Sequence, residues 1–279
     1  MARAIELRRD LCARNLAFAR TKQLAHVLSY GEMPVIVYCP ETSITRHGNF
    51  FDSSYAAILK RSDWARRLDR IHPQGRRALP QADRAWRELD SCMSSDALLM
   101  NVFCCPRVCS SRAVTAMLGT EPTDIPEFGY KARVPLLGGK TDRTEVDMKL
   151  GMLLVEAKLT ESDFQAKSCS LLKSYRDFKT VFEVTALPRS GDHCVSYQLV
   201  RNVLAAGASG FSFCVIADAR RPDLLEAWYA IMRCVRKVEL RTRCKVLTWQ
   251  ELSHALPRRL QRFLTAKYGI FASHNSQRF

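Results

Sequence analysis

The sequence predicts an α/β fold that follows a mostly helical N-terminal region. Short apolar strand candidates alternate with helical patterns from residue 128 onward, which is the pattern of an α/β domain. Apolar residues make up 47% of the 279 residues, an ordinary share for a globular protein. A chain of this length and composition is able to bury a sizeable core, so wholesale disorder is not expected.

The N-terminal third has mainly helical patterns. The stretch LCARNLAFARTKQLAHVLSYG predicts a helix that ends at Gly31, and PVIVYC predicts a short strand. Residues 51–99 are helical in pattern with a break at HPQG, and a second helix is expected after Pro80, through RAWRELDSCMSSDALLMNVF. We place a mostly helical extension in residues 1–79, and the α/β domain with its basic helical tail in residues 80–279.

The α/β domain is predicted from a series of strand and helix patterns. Turn residues are dense between residues 104 and 144, with a strand at YKARVPLL. The patterns that follow are two short strands in EVDMKLGMLLVEAK, helices at 161–178 and 195–206, a buried strand at 211–217, a helix in RPDLLEAWYAIMRCV, a strand in CKVLTW and a helical tail in QELSHALPRRLQRFLTAKYG.

The chain is strongly basic, with 43 Lys and Arg against 28 Asp and Glu, and a net charge of +15. The excess is uneven, because residues 201–279 carry 14 basic and 5 acidic residues, whereas residues 101–200 carry 13 and 12. A basic surface around a more balanced centre suits a polyanionic partner such as nucleic acid. A basic protein without such a partner stays an alternative.

The sequence shows no targeting or membrane segment. The N-terminus MARAIELRRDLCARN is charged, and no stretch approaches the roughly 20 apolar residues that a membrane span needs. The eleven cysteines form no regular framework, so reduced thiols fit better than a disulfide scaffold. FCCPRVC lacks the paired spacing of a zinc site and is expected to hold buried free thiols. We therefore expect a cytoplasmic protein without a membrane partner.

The stretch EVDMKLGMLLVEAK predicts a β-hairpin with Gly151 and Met152 in its loop. Glycine in the first loop position suits a type II′ turn, and this turn places Leu150 opposite Leu153. Side chains alternate between the two faces along a strand, so one face of the hairpin is wholly apolar. The other face carries Glu145, Asp147, Lys149, Glu156 and Lys158.

On that polar face Asp147 and Glu156 are expected directly opposite each other, with Cβ atoms roughly 4.5–5.5 Å apart. Like charges so placed repel, and a divalent cation between the carboxylates removes the repulsion. Lys158 on the same face would polarise a water or stabilise negative charge on a phosphate. The three side chains thus suit metal-assisted hydrolysis of a phosphodiester. A solvent-facing strand with an ordinary Glu145–Lys158 pair is the alternative interpretation.

These residues resemble the motif of the PD-(D/E)xK nuclease superfamily, which has the restriction-endonuclease-like fold. Asp147 matches the first acid and Glu156-Ala157-Lys158 matches the following element, while Val146 stands where proline is usual. The stretches RRALPQADRAWRELDSCMSSDALLMNVFC and SYQLVRNVLAAG also look like a group of uncharacterised bacterial restriction-endonuclease-like proteins. The resemblance implies a restriction-endonuclease-like core, with a mixed central sheet flanked by helices.

The resemblance also implies roles for individual residues. Asp147 and Glu156 would bind Mg²⁺ or Mn²⁺, and Lys158 would be the catalytic lysine. Many members add an acidic ligand from a preceding helix, for which Glu88 is the candidate and the other acids of that stretch, Asp90 and Asp96, are rivals. A solvated helix carboxylate is the alternative for Glu88.

Further polar residues are candidates for catalysis or for contacts with nucleic acid. Some members use a glutamine from a later helix, which Gln198 matches. Gln198, Arg201 and Asn202 lie at i, i+3 and i+4 on one polar helix face, which could reach the active centre or a phosphate. Capping and surface hydrogen bonds are the alternative. Contacts from basic residues to phosphates give affinity without base identity. The candidates for such contacts are Arg233, Arg236, Arg241, Arg243, Arg258, Arg259 and Arg262.

The sequence therefore predicts a metal-dependent nuclease that hydrolyses phosphodiester bonds, with DNA favoured as the substrate. The alternative is a protein with a nuclease-like fold that binds nucleic acid or a partner without cutting. The complete set of Asp147, Glu156 and Lys158 favours catalysis, because a nuclease site that has lost its activity usually lacks one of these charged residues. The choice between DNA and RNA, the mode of cleavage and the formation of a homodimer stay open.

Overall fold

The structure, a computed structural model, describes residues 2–29, 34–38, 46–71 and 87–272. It contains two compact units. The first comprises residues 1–117, 121–123 and 249–279, and the second comprises residues 118–120 and 124–248. The predicted boundary between residues 79 and 80 lies outside the described residues, so the division into 1–79 and 80–279 stays a prediction.

The helices and strands follow the chain in three groups. Before the second unit come α1 (Ala2–Lys22), β1 (His26–Leu28), β2 (Ile36–Tyr38), α2 (Asp52–Leu59), α3 (Ser62–Ala65), α4 (Ser95–Phe103) and α5 (Arg112–Leu118). The next group is β3 (Pro126–Lys131), β4 (Val134–Pro135), β5 (Thr141–Asp142), β6 (Glu145–Leu150), β7 (Leu153–Ala157), β8 (Lys167–Ser168), α6 (Cys169–Lys173), α7 (Phe178–Val181), β9 (Arg189–Ser190), β10 (His193–Cys194), α8 (Tyr197–Ser209), β11 (Ser212–Ala217), α9 (Pro222–Met232), α10 (Val238–Thr242) and β12 (Cys244–Thr248). The last are α11 (Trp249–His254) and α12 (Arg258–Tyr268).

In the first unit, α1 packs against α12. Buried apolar residues of α1 recur at spacings of three, four and eight positions, which gives the helix one apolar face: Ala4, Leu7, Leu11 and Ala19. The helix ends at Lys22, because Gln23 adopts a left-handed conformation with a φ of 51°. The chain then enters β1, which pairs antiparallel with β2. The predicted first helix is therefore too long, whereas the strand predicted in PVIVYC is confirmed.

The second predicted helix is shorter than expected. Its start after Pro80 lies outside the described residues. The described part forms a 3₁₀ turn at Glu88–Asp90, and a regular α-helix begins only at Ser95. Ser94 caps this helix, because its hydroxyl accepts a hydrogen bond from the backbone N–H of Ala97.

Lys267 of α12 is fully buried within the first unit, which is rare for a lysine. Its side-chain nitrogen Nζ donates a hydrogen bond to the carbonyl oxygen of Gly48 at 3.1 Å. The same nitrogen lies 3.6 Å from the ring centre of Tyr38. Burial lowers the pKa of Lys267 well below its ordinary value. The folded state therefore favours the neutral amine.

A mixed sheet forms the centre of the second unit, with the strand order β12-β11-β7-β6-β3. Strand β6 is antiparallel to both β3 and β7, whereas β7, β11 and β12 run parallel to one another. Strand β7 lies in the middle and every one of its residues is buried. Apolar residues of α8 and β11 join one hydrophobic core. These features confirm the predicted α/β class, with a mixed central sheet flanked by helices.

The predicted helix over residues 161–178 is wrong. Arg221, which is fully buried, donates hydrogen bonds to the carbonyl oxygens of Glu161 and Ser162 at 2.7 and 3.0 Å. The carbonyl oxygens of Phe164 and Gln165 accept hydrogen bonds from the first two backbone N–H groups of α8. These backbone groups are held by other elements, so the segment forms a loop before the short helices α6 and α7.

The later elements follow the sequence patterns closely. Helices α8 and α9 and strands β11 and β12 confirm the predictions, although α8 continues past Gly207 to a left-handed cap at Gly210. The predicted helical tail is two helices, and Pro257 stands directly before the second one. Within the described ranges, no helix has the length and apolar character that crossing a membrane requires.

We predict that Lys267→Met changes how stability depends on pH. The lowered pKa means that, at pH values between the folded and the unfolded pKa, the folded protein binds this proton less than the unfolded protein, so unfolding takes up a proton there. Stability of the wild type should therefore rise with pH through this window, by at most about 1.4 kcal/mol per pH unit. The variant should lack this contribution.

Urea unfolding between about pH 7 and pH 9, on the acid side of the ordinary lysine pKa, measures the difference. Lys22→Met, at an exposed lysine of α1, serves as the control. Identical pH slopes for the wild type and Lys267→Met would contradict the prediction.

Candidate active site

The hairpin of β6 and β7 has the predicted register around its turn. The paired residues are Met148 with Val155, Lys149 with Leu154, and Leu150 with Leu153. Gly151 has a φ of 56°, which glycine adopts without strain. A Cβ atom at this position would also collide with the carboxylate of Asp124. Both observations explain why the turn contains glycine.

Asp147 lies where the two strands of the hairpin part. Its predicted pairing with Glu156 is absent from the register, although both residues lie in the described part of the chain. The carboxylate oxygen Oδ2 of Asp147 instead accepts a hydrogen bond from the backbone N–H of Ala157 at 2.7 Å. The predicted ladder pair is therefore wrong, but the acid still meets the segment that contains Glu156 and Lys158.

Strand β3, on the other side of β6, is also irregular at this point. Its register with β6 continues on either side of Asp147 but skips the pair that Asp147 would form with Gly129. Gly129 has a φ of 65°, in the left-handed region. The register is the same on both sides of this gap, so neither strand has an inserted residue there.

The carboxylate of Glu156 is buried and accepts a hydrogen bond at each oxygen. The residue is only 2% exposed. Oxygen Oε1 accepts from the ammonium of Lys158 at 2.8 Å, and Oε2 accepts from the side-chain amide of Asn202 at 2.8 Å. A buried carboxylate is costly unless it is paired and hydrogen-bonded, and these two donors meet that requirement.

Lys158 is buried beside this carboxylate and is only 4% exposed. Burial alone would lower the pKa of Lys158, but the charges of Glu156, Glu161 and Asp147 outweigh burial and raise it above the ordinary value. Its Nζ also lies 5.5 Å from the ring centre of Phe164. The structure therefore holds an ammonium group within the field of three carboxylates.

Glu161 was not singled out by the sequence patterns. Its carboxylate oxygen Oε2 accepts a hydrogen bond from the backbone N–H of Leu159 at 2.7 Å, and Arg221 holds its carbonyl group. The sequence signal for this residue is weak, since it is an acid three positions after Lys158 in a stretch with a helical pattern.

Helix α8 supplies Asn202 and, next to it, Arg201. Their exposed fractions are 1% and 2%. The guanidinium of Arg201 donates to the side-chain oxygen of Asn202, to the carboxylate of Asp142 and to the carbonyls of Thr144 and Glu145. The donors of both side chains are thus used inside the protein. Their burial gives no support to the prediction that Arg201 and Asn202 contact nucleic acid.

Asp142 is held from its other side by a pair of tyrosines. The hydroxyl of Tyr175 donates to the Asp142 carboxylate at 2.6 Å and lies 2.8 Å from the hydroxyl of Tyr197. Burial would raise the pKa of Asp142, but hydrogen bonds from Thr144 and Tyr175 and the charge of Arg201 lower it below its ordinary value. Sequence patterns could not indicate this contact, because it joins residues that are far apart along the chain.

Gln198 lies one helical turn before Asn202. Its backbone N–H donates to the carbonyl of Phe164 at 3.0 Å. Its side-chain oxygen Oε1 is buried and has no hydrogen-bond partner within the residues that the structure describes. A buried oxygen in this state is a candidate partner for an ion or a water molecule.

The residues around Glu156 fit a hard divalent cation. Asp147 and Glu156 offer carboxylate oxygens, and Gln198, one turn before Asn202 on α8, offers a buried amide oxygen. Mg²⁺ and Mn²⁺ prefer oxygen ligands of this kind. Each carboxylate oxygen of Glu156 also has the capacity for a second partner. Within the described ranges, however, no group of three or more His, Cys, Asp and Glu side chains is arranged to hold a metal ion. Water and substrate oxygens would therefore have to complete the coordination, as is usual for Mg²⁺.

Glu88, the predicted acid from a preceding helix, belongs to the first unit. Its carboxylate forms an ion pair with Arg70 at 3.0 Å. Of the two rival acids, Asp90 pairs with His47 and Asp96 pairs with Arg67, both within the same unit. The role of Glu88 as a catalytic residue or metal ligand stays a prediction.

Most of the arginines that are predicted to contact phosphates in the second unit are exposed. Arg233, Arg236 and Arg241 are exposed around α10. Arg243 is half-buried, and its guanidinium donates to the carbonyls of Gly210 and Phe211 just after α8. Arg243 therefore satisfies backbone oxygens at the end of that helix, whereas the other three side chains extend toward solvent.

The cysteines of FCCPRVC are free thiols in the structure. Cys104 and Cys105 are buried free thiols, and Cys109 is a half-buried one. Burial raises the pKa of Cys104 and Cys105 above the ordinary thiol value. These features agree with the sequence expectation of buried thiols that serve the packing.

Comparison with known proteins gives a family and no individual relative. The family model described as "Restriction Endonuclease associating with ARP" matches residues 15–269. This range includes the hairpin of β6 and β7 and the whole of α8. The mixed sheet flanked by helices is consistent with a restriction-endonuclease-like fold. No curated protein and no solved structure matches the chain.

We predict that Lys158→Met lowers the free energy of unfolding by about 3–5 kcal/mol, because it leaves the buried carboxylate of Glu156 without its ion-pair partner. Lys149→Met is the matched control on the same hairpin. Lys149 pairs with Glu127 at 2.5 Å, but the Glu127 side chain is 53% exposed. Loss of that pair should cost less than about 1 kcal/mol. Urea unfolding of both variants checks the prediction, and equal losses would contradict it.

Proposed function

Since the chain belongs to the family of restriction endonucleases associating with ARP, we propose that it is a metal-dependent nuclease that hydrolyses phosphodiester bonds in DNA. The observation that carries this proposal is the Lys158 ammonium, buried among carboxylates where β6 and β7 part. This arrangement contains the Asp, Glu and Lys of the PD-(D/E)xK pattern that the sequence resembles. We propose Asp147, Glu156 and Lys158 as its catalytic residues.

The position of these residues in the sheet supports the proposal. Strands β7 and β11 run parallel, and Glu156 and Lys158 lie at the carboxyl end of β7. In open α/β sheets, ligands bind at the carboxyl ends of the strands. The backbone N–H of Lys158 donates to Ile216 of β11 at 2.8 Å, which fixes the strand end at the point where the chemistry is needed.

Each residue has a distinct chemical role. Asp147 and Glu156 would hold Mg²⁺ or Mn²⁺, and the unpartnered oxygen of Gln198 would bind the ion or a water beside it. Such an ion supplies charge stabilisation to the phosphate and acidifies a bound water. Lys158 would donate hydrogen bonds to a water or to a phosphate oxygen as negative charge develops there. Exposed arginines such as Arg236 would contact phosphates further along the strand.

The alternative of binding without cleavage has one observation in its favour, because both oxygens of Glu156 already have partners inside the protein. The family description also names an association with ARP, and we extend that association to this chain as part of the proposal. A partner bound in this way is compatible with either alternative, so cleavage has to be measured on the protein alone.

We predict that the purified protein cleaves DNA when Mg²⁺ or Mn²⁺ is present and stops when the ion is chelated. Asp147→Asn and Lys158→Ala should each lower the cleavage rate by a factor of about 100 or more, the usual loss when a charge-stabilising group is removed. Asp192→Asn, at an exposed carboxylate of the same unit, should cleave at the wild-type rate.

The assay needs linear, circular and single-stranded DNA together with RNA, each tested with Mg²⁺ and with Mn²⁺. Binding of the same nucleic acids is measured in parallel by fluorescence anisotropy. A wild-type protein that binds these nucleic acids and cuts none of them would contradict the proposal and support a binding protein.

A further inference from the structure

A continuous chain of buried side chains joins Asp142 to the proposed metal ligand Glu156. Arg201 donates through Nε to the Asp142 carboxylate at 3.3 Å and through Nη1 to the side-chain oxygen of Asn202 at 2.8 Å. The side-chain nitrogen of Asn202 then donates to Glu156 at 2.8 Å. Each member of the chain thus has a fixed partner on both sides.

Arg201 also binds the backbone of the strand that carries the other acid. Its guanidinium donates to the carbonyl oxygens of Thr144 and Glu145, at the start of β6. Asp147 follows on the same strand. A single buried arginine therefore connects helix α8 to β6, which carries Asp147, and through Asn202 to β7, which carries Glu156.

The contact with Arg201 fixes which way the Asn202 amide faces. A side-chain amide has one oxygen that accepts and one nitrogen that donates. Because the oxygen accepts from Arg201, the nitrogen is directed at the Glu156 carboxylate. In the reversed orientation the amide oxygen would face a negatively charged carboxylate, and the Arg201 donor would face an N–H group.

Stability alone gives little reason to keep such a network. Burying an arginine and a carboxylate costs desolvation, and replacement of a buried ionic set by apolar residues is often neutral or stabilising. Hydrogen-bonding partners behind metal ligands, in contrast, orient those ligands and tune their affinity for the ion. The charge of Asp142 offsets that of Arg201, and the tyrosine pair behind Asp142 holds it in place.

We propose that Arg201 and Asn202 are positioning residues that hold the Glu156 carboxylate in the orientation needed to bind a divalent cation. This inference rests on the proposed function, because that proposal assigns Glu156 to the metal site. It gives Arg201 and Asn202 a role in the metal site in place of direct contact with nucleic acid.

The test compares Asn202→Ala with Asn101→Ala in the whole chain of 279 residues. Asn202→Ala removes the donor to Glu156. Asn101→Ala is the matched control, because it removes a buried asparagine side chain of the first unit whose nitrogen donates to the carbonyls of Asn49 and Ala97, outside this network. Affinity for Mn²⁺ is measured by calorimetry on metal-free protein, alongside urea unfolding and the Mn²⁺ concentration that gives half-maximal cleavage.

Asn202→Ala should bind Mn²⁺ about 10–100-fold more weakly, the usual effect of losing a partner behind a metal ligand. Asn101→Ala should bind Mn²⁺ like the wild type, even if its stability falls. Unchanged Mn²⁺ affinity in Asn202→Ala, or an equal loss in both variants, would overturn the inference while the proposed function stands.

If Asn202→Ala does not fold, Arg201→Lys decides by the same criteria, because lysine keeps the charge but cannot reach Asn202 and the strand carbonyls together. A wild-type protein that binds no Mn²⁺ and cuts no nucleic acid would overturn the proposed function, and this inference with it.

Discussion

The Glu156 carboxylate, held between the Lys158 ammonium and the Asn202 amide, is the interaction on which the rest of the site depends. Strand β7 is buried on both faces, so an acid in it loses nearly all of its water. That loss costs several kcal/mol per ion in a protein interior, and only close partners offset it. Leucine or valine would stabilise this central strand without such partners. A glutamate and a lysine at its end therefore fit the proposed catalytic role better than a role in stability alone.

The topology of the sheet explains how two acids and a lysine meet there. Strand β7 pairs antiparallel with β6 on one side and parallel with β11 on the other. The ladder between β6 and β7 does not include Asp147 and Glu156, and the Asp147 carboxylate binds the backbone of Ala157 beyond it. Helix α8 then contributes Asn202 and Arg201, which hold β6 and β7 at the place where they part. The proposed site is thus the end of a hairpin that one helix contacts through Asn202 and Arg201.

The local features of this arrangement could be predicted from the sequence. Gly151 determines the turn, and alternation of apolar residues in β6 determines the register beside it. Long-range features could not be predicted in the same way. Sequence spacing placed Asp147 opposite Glu156, but the ladder between β6 and β7 ends at Met148 and Val155, and the Asp147 carboxylate binds the backbone N–H of Ala157. Arg201 looked like a surface residue on a polar helix face, because its partners Asp142 and Thr144 lie nearly 60 positions earlier in the chain.

A crystal structure of the protein with Mn²⁺ tests the metal site most directly, because anomalous scattering identifies the ion and its ligands. The proposal predicts an ion coordinated by carboxylate oxygens of both Asp147 and Glu156, at roughly 2 Å, with water in the remaining positions. An ion bound to other residues, or no anomalous peak beside Glu156 at a Mn²⁺ concentration that saturates cleavage, would contradict it.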